Sequence, residues 1–236
     1  NVFIGRDAGE SSGTATDNDA SYNVAIGQGA GKGLTDGDDN VMLGRLAGGE
    51  VTTGSNVIAI GENAGKTMGA GTGNISIGKQ AGGNEGTAAD NDAANNTSIG
   101  NYAGYSLTDG DNNIFMGNSA GGETTTGLAN VMIGNYAGQC HVSGSENVYI
   151  SHCAGRCMCN GSDNVAIGHQ ALQGGSTVSA NTGARNVVIG KEAGCTLSSG
   201  QHNTLLGANA GDSISSGDYN VAIGFNVDAA SATGDT

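Results

Sequence analysis

Residues 23–44 read NVAIGQGAGKGLTDGDDNVMLG, and in those 22 residues one pattern already begins a second time. The pattern is Asn-Val-x-Ile-Gly-x-x-Ala-Gly, followed by a Ser/Thr/Asp-rich stretch ending in Gly, and it runs from Asn1 to the far end of the chain. The residue after the Ile falls at Gly5, Gly27, Gly44, Gly61, Gly78, Gly100, Gly117, Gly134, Ser151, Gly168, Gly190, Gly207 and Gly224, which makes thirteen copies. The spacing is 17 residues, lengthened to 22 three times by a five-residue insertion. A fixed short period is the signature of a solenoid: one unit cannot bury an apolar face alone, but units stacked on one another can.

With the Asn numbered position one, position two is Val, Ile or Thr and position four is apolar in every copy. Position eight is Ala in all but the last, where Val227 stands. Alternation with period two marks a short strand with one buried face. The reading places the Val and Ile of positions two and four on an interior wall, with Ala where the walls approach closely. Position twelve is mostly apolar (Leu34, Val51, Met68, Leu107, Met158, Leu197, Ile214) and suggests a second, shorter strand. Gly at positions five, nine and fifteen marks corners that need positive φ or close backbone approach. No stretch sustains the spacing of an amphipathic helix. The expected fold is therefore all-β: a parallel β-solenoid of about thirteen 17-residue coils, two short strands per coil, forming a single repeat domain over 1–236. Twelve steps of about 4.8 Å would give a rod of about 58 Å.

Position one is Asn in every copy but one, where Val57 stands. Identical residues at one phase of a parallel stack lie about 4.8 Å apart. An Asn amide both donates and accepts, so a column of them can bond coil to coil. The expected ladder comprises Asn23, Asn40, Asn74, Asn113, Asn130, Asn147, Asn164, Asn203 and Asn220. Asn95 and Asn96 head glycosylation triplets, but a ladder position would leave Asn96 no room for a glycan. A longer period overlies the short one: residues 17–60 recur with a shift of 73, as a segmental duplication would leave them. The insertions fall at one phase of the unit, so they should project from one edge.

Composition narrows the function. The chain has 236 residues, 45 Gly, no Pro and no Trp, with 22 Asp plus Glu against 8 Lys plus Arg, a net charge of −14. No apolar run is long enough for a membrane helix. Collagen would need Gly at every third residue and abundant Pro. A nucleic-acid surface would need a positive patch. The chain begins at Asn1 without Met and shows no signal peptide, which suggests a piece of a longer protein.

The repeat, clearest in Asn23–Gly37 (NVAIGQGAGKGLTDG) and Asn220–Gly224 (NVAIG), resembles the YadA-like head repeats of trimeric autotransporter adhesins. Its 17-residue form is still more similar to the repeats of phage tail fibres and related bacterial surface fibres. The resemblance spans essentially the whole chain. It implies a left-handed parallel β-roll, three chains side by side, and a non-enzymatic role in adhesion or host attachment. It implies an extracellular, cell-surface or virion tail-fibre location, with a host surface glycan or receptor as partner and no membrane insertion. Three chains would carry −42 (three times −14). The sequence departs from the family in having five cysteines, no coiled-coil stalk and no chaperone domain. A self-assembling extracellular filament is a variant of the same reading.

The remaining candidates are local. Cys140 and Cys157 share position eleven in neighbouring coils, within reach of a disulfide. Free buried thiols are the other reading of the cysteines, and their odd number leaves one unpaired or paired between subunits. His152, His169 and Cys153 form a metal set on paper, though their side chains need not converge. Asp17, Asn18 and Asp19, repeated as Asp90, Asn91 and Asp92, suggest calcium or a solvated surface loop, and lack the spacing of an EF-hand. No cofactor is otherwise implied. His141 replaces the apolar residue of position twelve and should disturb its coil. An ice-binding solenoid needs a regular Thr array, and position thirteen (Thr35, Thr52, Gly69, Thr108, Thr125, Val142) is too broken. A polysaccharide-binding or polysaccharide-processing solenoid needs carboxylates and aromatic platforms in a groove, and the chain has 3 Phe and 6 Tyr. No catalytic constellation emerges. Thin coils bury little area each, so chain-to-chain packing should supply much of the stability.

Overall fold

The structure is a computed structural model and describes residues 1–11, 19–83, 91–175 and 181–228. The chain divides into two compact units, Asn1–Asn118 and Ser119–Thr236, built from the same coil. The first holds β1 (Val2–Ile4), β2 (Val24–Ile26), β3 (Val41–Leu43), β4 (Ile58–Ile60), β5 (Ile75–Ile77), β6 (Thr97–Ile99) and β7 (Ile114–Met116). The second holds β8 (Val131–Ile133), β9 (Val148–Ile150), β10 (Val165–Ile167), β11 (Val187–Ile189), β12 (Thr204–Leu206) and β13 (Val221–Ile223). Within each unit successive strands pair in parallel, residue for residue at the repeat period: Val41 with Ile58, and Val148 with Val165. The fold is thus an all-β parallel β-solenoid, with no helix among the described residues. The five-residue insertions fall within 10–22, 83–95 and 173–185, of which 12–18, 84–90 and 176–180 lie outside the described residues, and with them the expectation that the insertions project from one edge.

The interior differs from the sequence expectation in one decisive respect. In every strand but the terminal β1 the middle residue is buried and its two neighbours are not: Met42, Ala59, Met132, Tyr149, Ala166 and Leu205 are at most 1% exposed. The Val and Ile of positions two and four face outward. Position one explains the inversion. Residues one and three share a face in an extended strand, and two and four share the other. The Asn column turns inward, so position three must follow it and positions two and four must turn out.

The Asn side chains turn inward because they close each coil. The Nδ2 of Asn40 donates to the carbonyl of Gly54 at 3.0 Å, and that of Asn147 to Gly161 at 2.9 Å. These bonds fasten the end of a coil to its own start. The Oδ1 accepts the backbone N–H of the next coil's position one, Asn40 to Asn23 at 2.9 Å and Asn164 to Asn147 at 3.0 Å. Val57 still donates its N–H to Asn40, at 2.8 Å, but has no amide with which to continue the column.

The rest of the interior is the Ala of position eight and the residue of position twelve: Ala47, Ala64, Ala154, Leu107, Leu197 and Ile214 are all fully buried. The expected second strand is absent from the described residues. Position twelve is buried, and position thirteen makes single coil-to-coil bonds such as Thr52 N–H to Gly69 C=O at 2.8 Å. The backbone there turns on both sides of that bond, so no two consecutive residues stay extended long enough to pair. Glycine at position fifteen answers to close approach: a Cβ on Gly54 would stand 2.6 Å from the carbonyl oxygen of Gly71.

Position five is different, since its φ lies near +130° (Gly44 +134°), a region that side chains rarely enter. Ser151 occupies this position with φ 118°. Ser151→Gly should therefore stabilise the protein by about 1 kcal/mol. Asn164→Ala, which orphans the Asn186 N–H and the Gly183 carbonyl, should cost about 3 kcal/mol. Urea unfolding midpoints of the two variants test both signs, and an Asn164→Ala protein as stable as the parent would remove the ladder from its structural role.

Candidate functional site

The outward face of the strands is apolar and uncharged. None of the thirteen strand triplets contains Asp, Glu, Lys or Arg, although the chain carries 22 acidic and 8 basic residues. The two columns at positions two and four run through each unit as Val, Ile, Leu, Met and two Thr. They are half-buried inside the stacks and more open on several strands: Ile26 is 39% exposed, Ile114 38% and Ile189 39%. Sequence reasoning identified these residues and assigned them to the wrong side.

Beside this face, position six carries charged or aromatic groups in several coils, among them Arg45, Glu62, Lys79, His152 and His169, and Gln, Asn or Ala in others. Glu62 lies between Arg45, with which it forms an ion pair, and Lys79, at 3.6 Å. The hydrogen bond from Arg45, helped by the charges of Lys79 and Arg45, holds the Glu62 carboxyl below its ordinary value. In the second unit the same row contains His152 and His169, whose rings stack with centroids 5.2 Å apart and planes 9° apart. Tyr136 meets His152 edge-on at 6.1 Å, and the Arg156 guanidinium lies 5.6 Å from the Tyr136 ring centroid. Cys153 Sγ is 3.7 Å from His152 Nε2. The three residues of the proposed metal set are therefore neighbours, but the imidazoles stack face to face rather than turning toward a common point. Among the described residues no group of three or more His, Cys, Asp and Glu could hold a metal ion.

Of the acidic-loop candidates, Asp17, Asn18 and Asp90 lie outside the described residues. Asp19 and Asp92 are exposed. Asn91 corrects the surface-loop expectation: it is fully buried, and its Nδ2 donates to the Leu107 carbonyl at 2.8 Å. Asn181, at the matching place after another insertion, donates to the Cys157 and Gly175 carbonyls at 2.9 Å each. Both tie an inserted loop back to the coil next to it. Sequence reasoning missed Asn181, and its phase relative to Asn91 was the available signal.

All five cysteines are free. Cys140 and Cys157 are half-buried and occupy the same position of neighbouring coils. Cys153 and Cys159 are buried, and Cys159 Sγ lies 3.1 Å from the Cys140 carbonyl oxygen. Burial, before any other cause, pushes the thiols of Cys153, Cys159 and Cys195 up.

His141 is fully buried in the position-twelve column. Its Nδ1 is 2.7 Å from the Met158 carbonyl oxygen and its Nε2 2.8 Å from that of Gly144. A neutral imidazole has one N–H for two acceptors. The imidazolium would satisfy both, yet burial outweighs the two carbonyls and pushes the group below its ordinary 6.5.

Comparison with known proteins adds no relative to this geometry: no family model, no curated protein and no solved structure matches the chain. Among the described residues no helix is long and apolar enough to cross a membrane.

The His141 environment makes a signed prediction. Its pKa is depressed in the folded state, so below about pH 6.5 the unfolded chain binds more protons at this position than the folded one does. Stability from this residue is complete above the unfolded value and falls as the pH drops below it, by up to about 1.4 kcal/mol per pH unit. His141→Leu should remove that component, so the two proteins should diverge in urea midpoint between pH 6.5 and 5. Parallel curves over that range would show that His141 does not titrate on unfolding.

Proposed function

We propose that the chain is a non-enzymatic shaft segment of an extracellular fibre, on a cell surface or a virion, in which three copies pack side by side through the apolar columns of strand positions two and four. The single observation that carries this reading is the charge-free, solvent-exposed strand face on a chain of net charge −14. An apolar face of this regularity is rare on a chain that functions alone. Copies of the chain are the partner it fits best, because another copy presents the same residues at the same 17-residue period. Any other face would bring like charges together. A left-handed winding and attachment to a host glycan or receptor complete the proposal, in keeping with the resemblance of the repeat to adhesin heads and tail fibres. Receptor contact then falls to the inserted loops or to parts of the fibre beyond this segment.

Sedimentation velocity tests the assembly. Three chains of 23.0 kDa give about 69 kDa. Ile60→Glu together with Ile167→Glu places a charge on the strand face of each unit without touching the interior, and should leave a monomer with an unchanged circular dichroism spectrum. A parent protein that remains a stable monomer at high concentration would defeat the proposal. Open-ended polymers would replace the closed trimer with a filament.

A further inference from the structure

The second unit contains a pair of thiols that the fibre reading does not use. Cys140 and Cys157 occupy position eleven of neighbouring coils, after Glu123 at the same position one coil earlier. Backbone bonds hold this column at ladder spacing: Glu123 N–H to Gln139 C=O, Cys140 N–H to Arg156 C=O and Cys157 N–H to Gln173 C=O, each 2.9 Å. A ladder step of about 4.8 Å lies inside the span of about 4.4–6.8 Å that a disulfide tolerates between Cα atoms. Both thiols are half-buried, so a small reagent can reach them.

We infer that Cys140 and Cys157 form a thiol–disulfide exchange site that takes low-molecular-weight disulfides, with Cys157 as the attacking thiol, Cys140 as the resolving thiol and a coil-to-coil disulfide as the product. The asymmetry follows from the column. Glu123 stands one coil before Cys140 at the same position, and Arg156 immediately precedes Cys157. The neighbouring Cys140 lowers the Cys157 thiol to about 6, with Arg156 adding to it against burial and Glu123. The neighbouring Cys157, burial and Glu123 push Cys140 up, against Arg156. Cys153 and Cys159 are the other ionisable neighbours, and both are held as neutral thiols by burial.

The chemistry balances with one disulfide reagent. The Cys157 thiolate attacks one sulfur of glutathione disulfide, the reagent's S–S bond breaks, and one glutathione thiolate leaves and is protonated. Cys140 gives its proton to solvent and attacks Cys157 Sγ. The mixed disulfide breaks and the second glutathione leaves as a thiol. Two protein thiols are oxidised and one disulfide is reduced to two thiols.

The test uses the full chain, iodoacetamide and glutathione disulfide at pH 6. A thiol with a pKa of about 6 is about half ionised there, and one of about 8.5 only about 0.3%. The more acidic thiolate is about tenfold less nucleophilic, so Cys157 should be alkylated about tenfold faster than Cys153, Cys159 or Cys195. After glutathione disulfide, digestion at Arg156 and Glu146 with fragment-ion sequencing should find Cys140 joined to Cys157. Cys140→Ser should stop at glutathione on Cys157, and Cys157→Ser should leave no fast thiol. Circular dichroism checks that both variants fold, and if either does not, the alkylation rates and linkage map of the parent protein decide. Equal rates at all five cysteines, a link from Cys157 to any residue other than Cys140, or Cys140 and Cys157 both still free after oxidation would each overturn the assignment.

Discussion

The position-one asparagine is the constraint from which the rest of the molecule follows. Its amide does two things at once: it closes its own coil through Nδ2 and receives the next coil's backbone through Oδ1. Both partners are backbone groups that have no water to turn to inside so thin a coil, where an unpaired donor or acceptor costs about 1–3 kcal/mol. The side chain must therefore point inward. Strand geometry then leaves no choice for the neighbours: position three is core and positions two and four are surface. A side-chain amide, rather than a hydrophobic residue, decides which face of this protein is inside.

That dependence also shows what the sequence could and could not reveal. The period, the parallel stacking, the Ala column and the bonding role of Asn23, Asn40 and Asn147 are all legible, because each is a property of spacing. The inside–outside assignment is not legible from positions two and four alone, since alternation states which residues share a face and not where that face looks. Asn at one and an interior at four are incompatible by parity, and following the amides first would have resolved it. The apolar column that includes Leu34 and Leu197 suggests a second strand, but a single buried residue per coil does not require extended neighbours. At the candidate sites, phase brought His152 to His169 and Cys140 to Cys157. Ring orientation and the burial of Asn91 depend on local turns that spacing does not encode.

The proposed assembly rests on the outward Val and Ile columns. A solenoid that keeps the aliphatic residues of strand positions two and four outside places a regular apolar surface where another chain can meet it. The interior position varies freely between Ala59 and Tyr149, whereas the outer columns stay aliphatic or Thr in every strand. Such uniformity is what a repeating interface demands: every coil must present the same shape to the coil opposite. Among the described residues the charges are excluded from the strands and lie on the segments between them.

The departures from the repeat point the same way as the cysteines. Ser151 at a position that favours glycine, His141 in the apolar column, the fully buried Tyr149 and four of the five cysteines all fall between residues 140 and 159. His141 and Tyr149 meet edge-on at 6.0 Å inside the stack. Each departure has a local cost: backbone strain at Ser151, a carbonyl without a proton to face at His141, thiols where other coils have polar turn residues. Costs concentrated in one stretch of an otherwise regular array are the mark of a region with a task beyond holding the fold. A coil weakened by strain is also one that opens at low free energy. A covalent link from Cys140 to Cys157 joins that coil to its neighbour, so oxidation would fasten the stack where its own interactions are weakest.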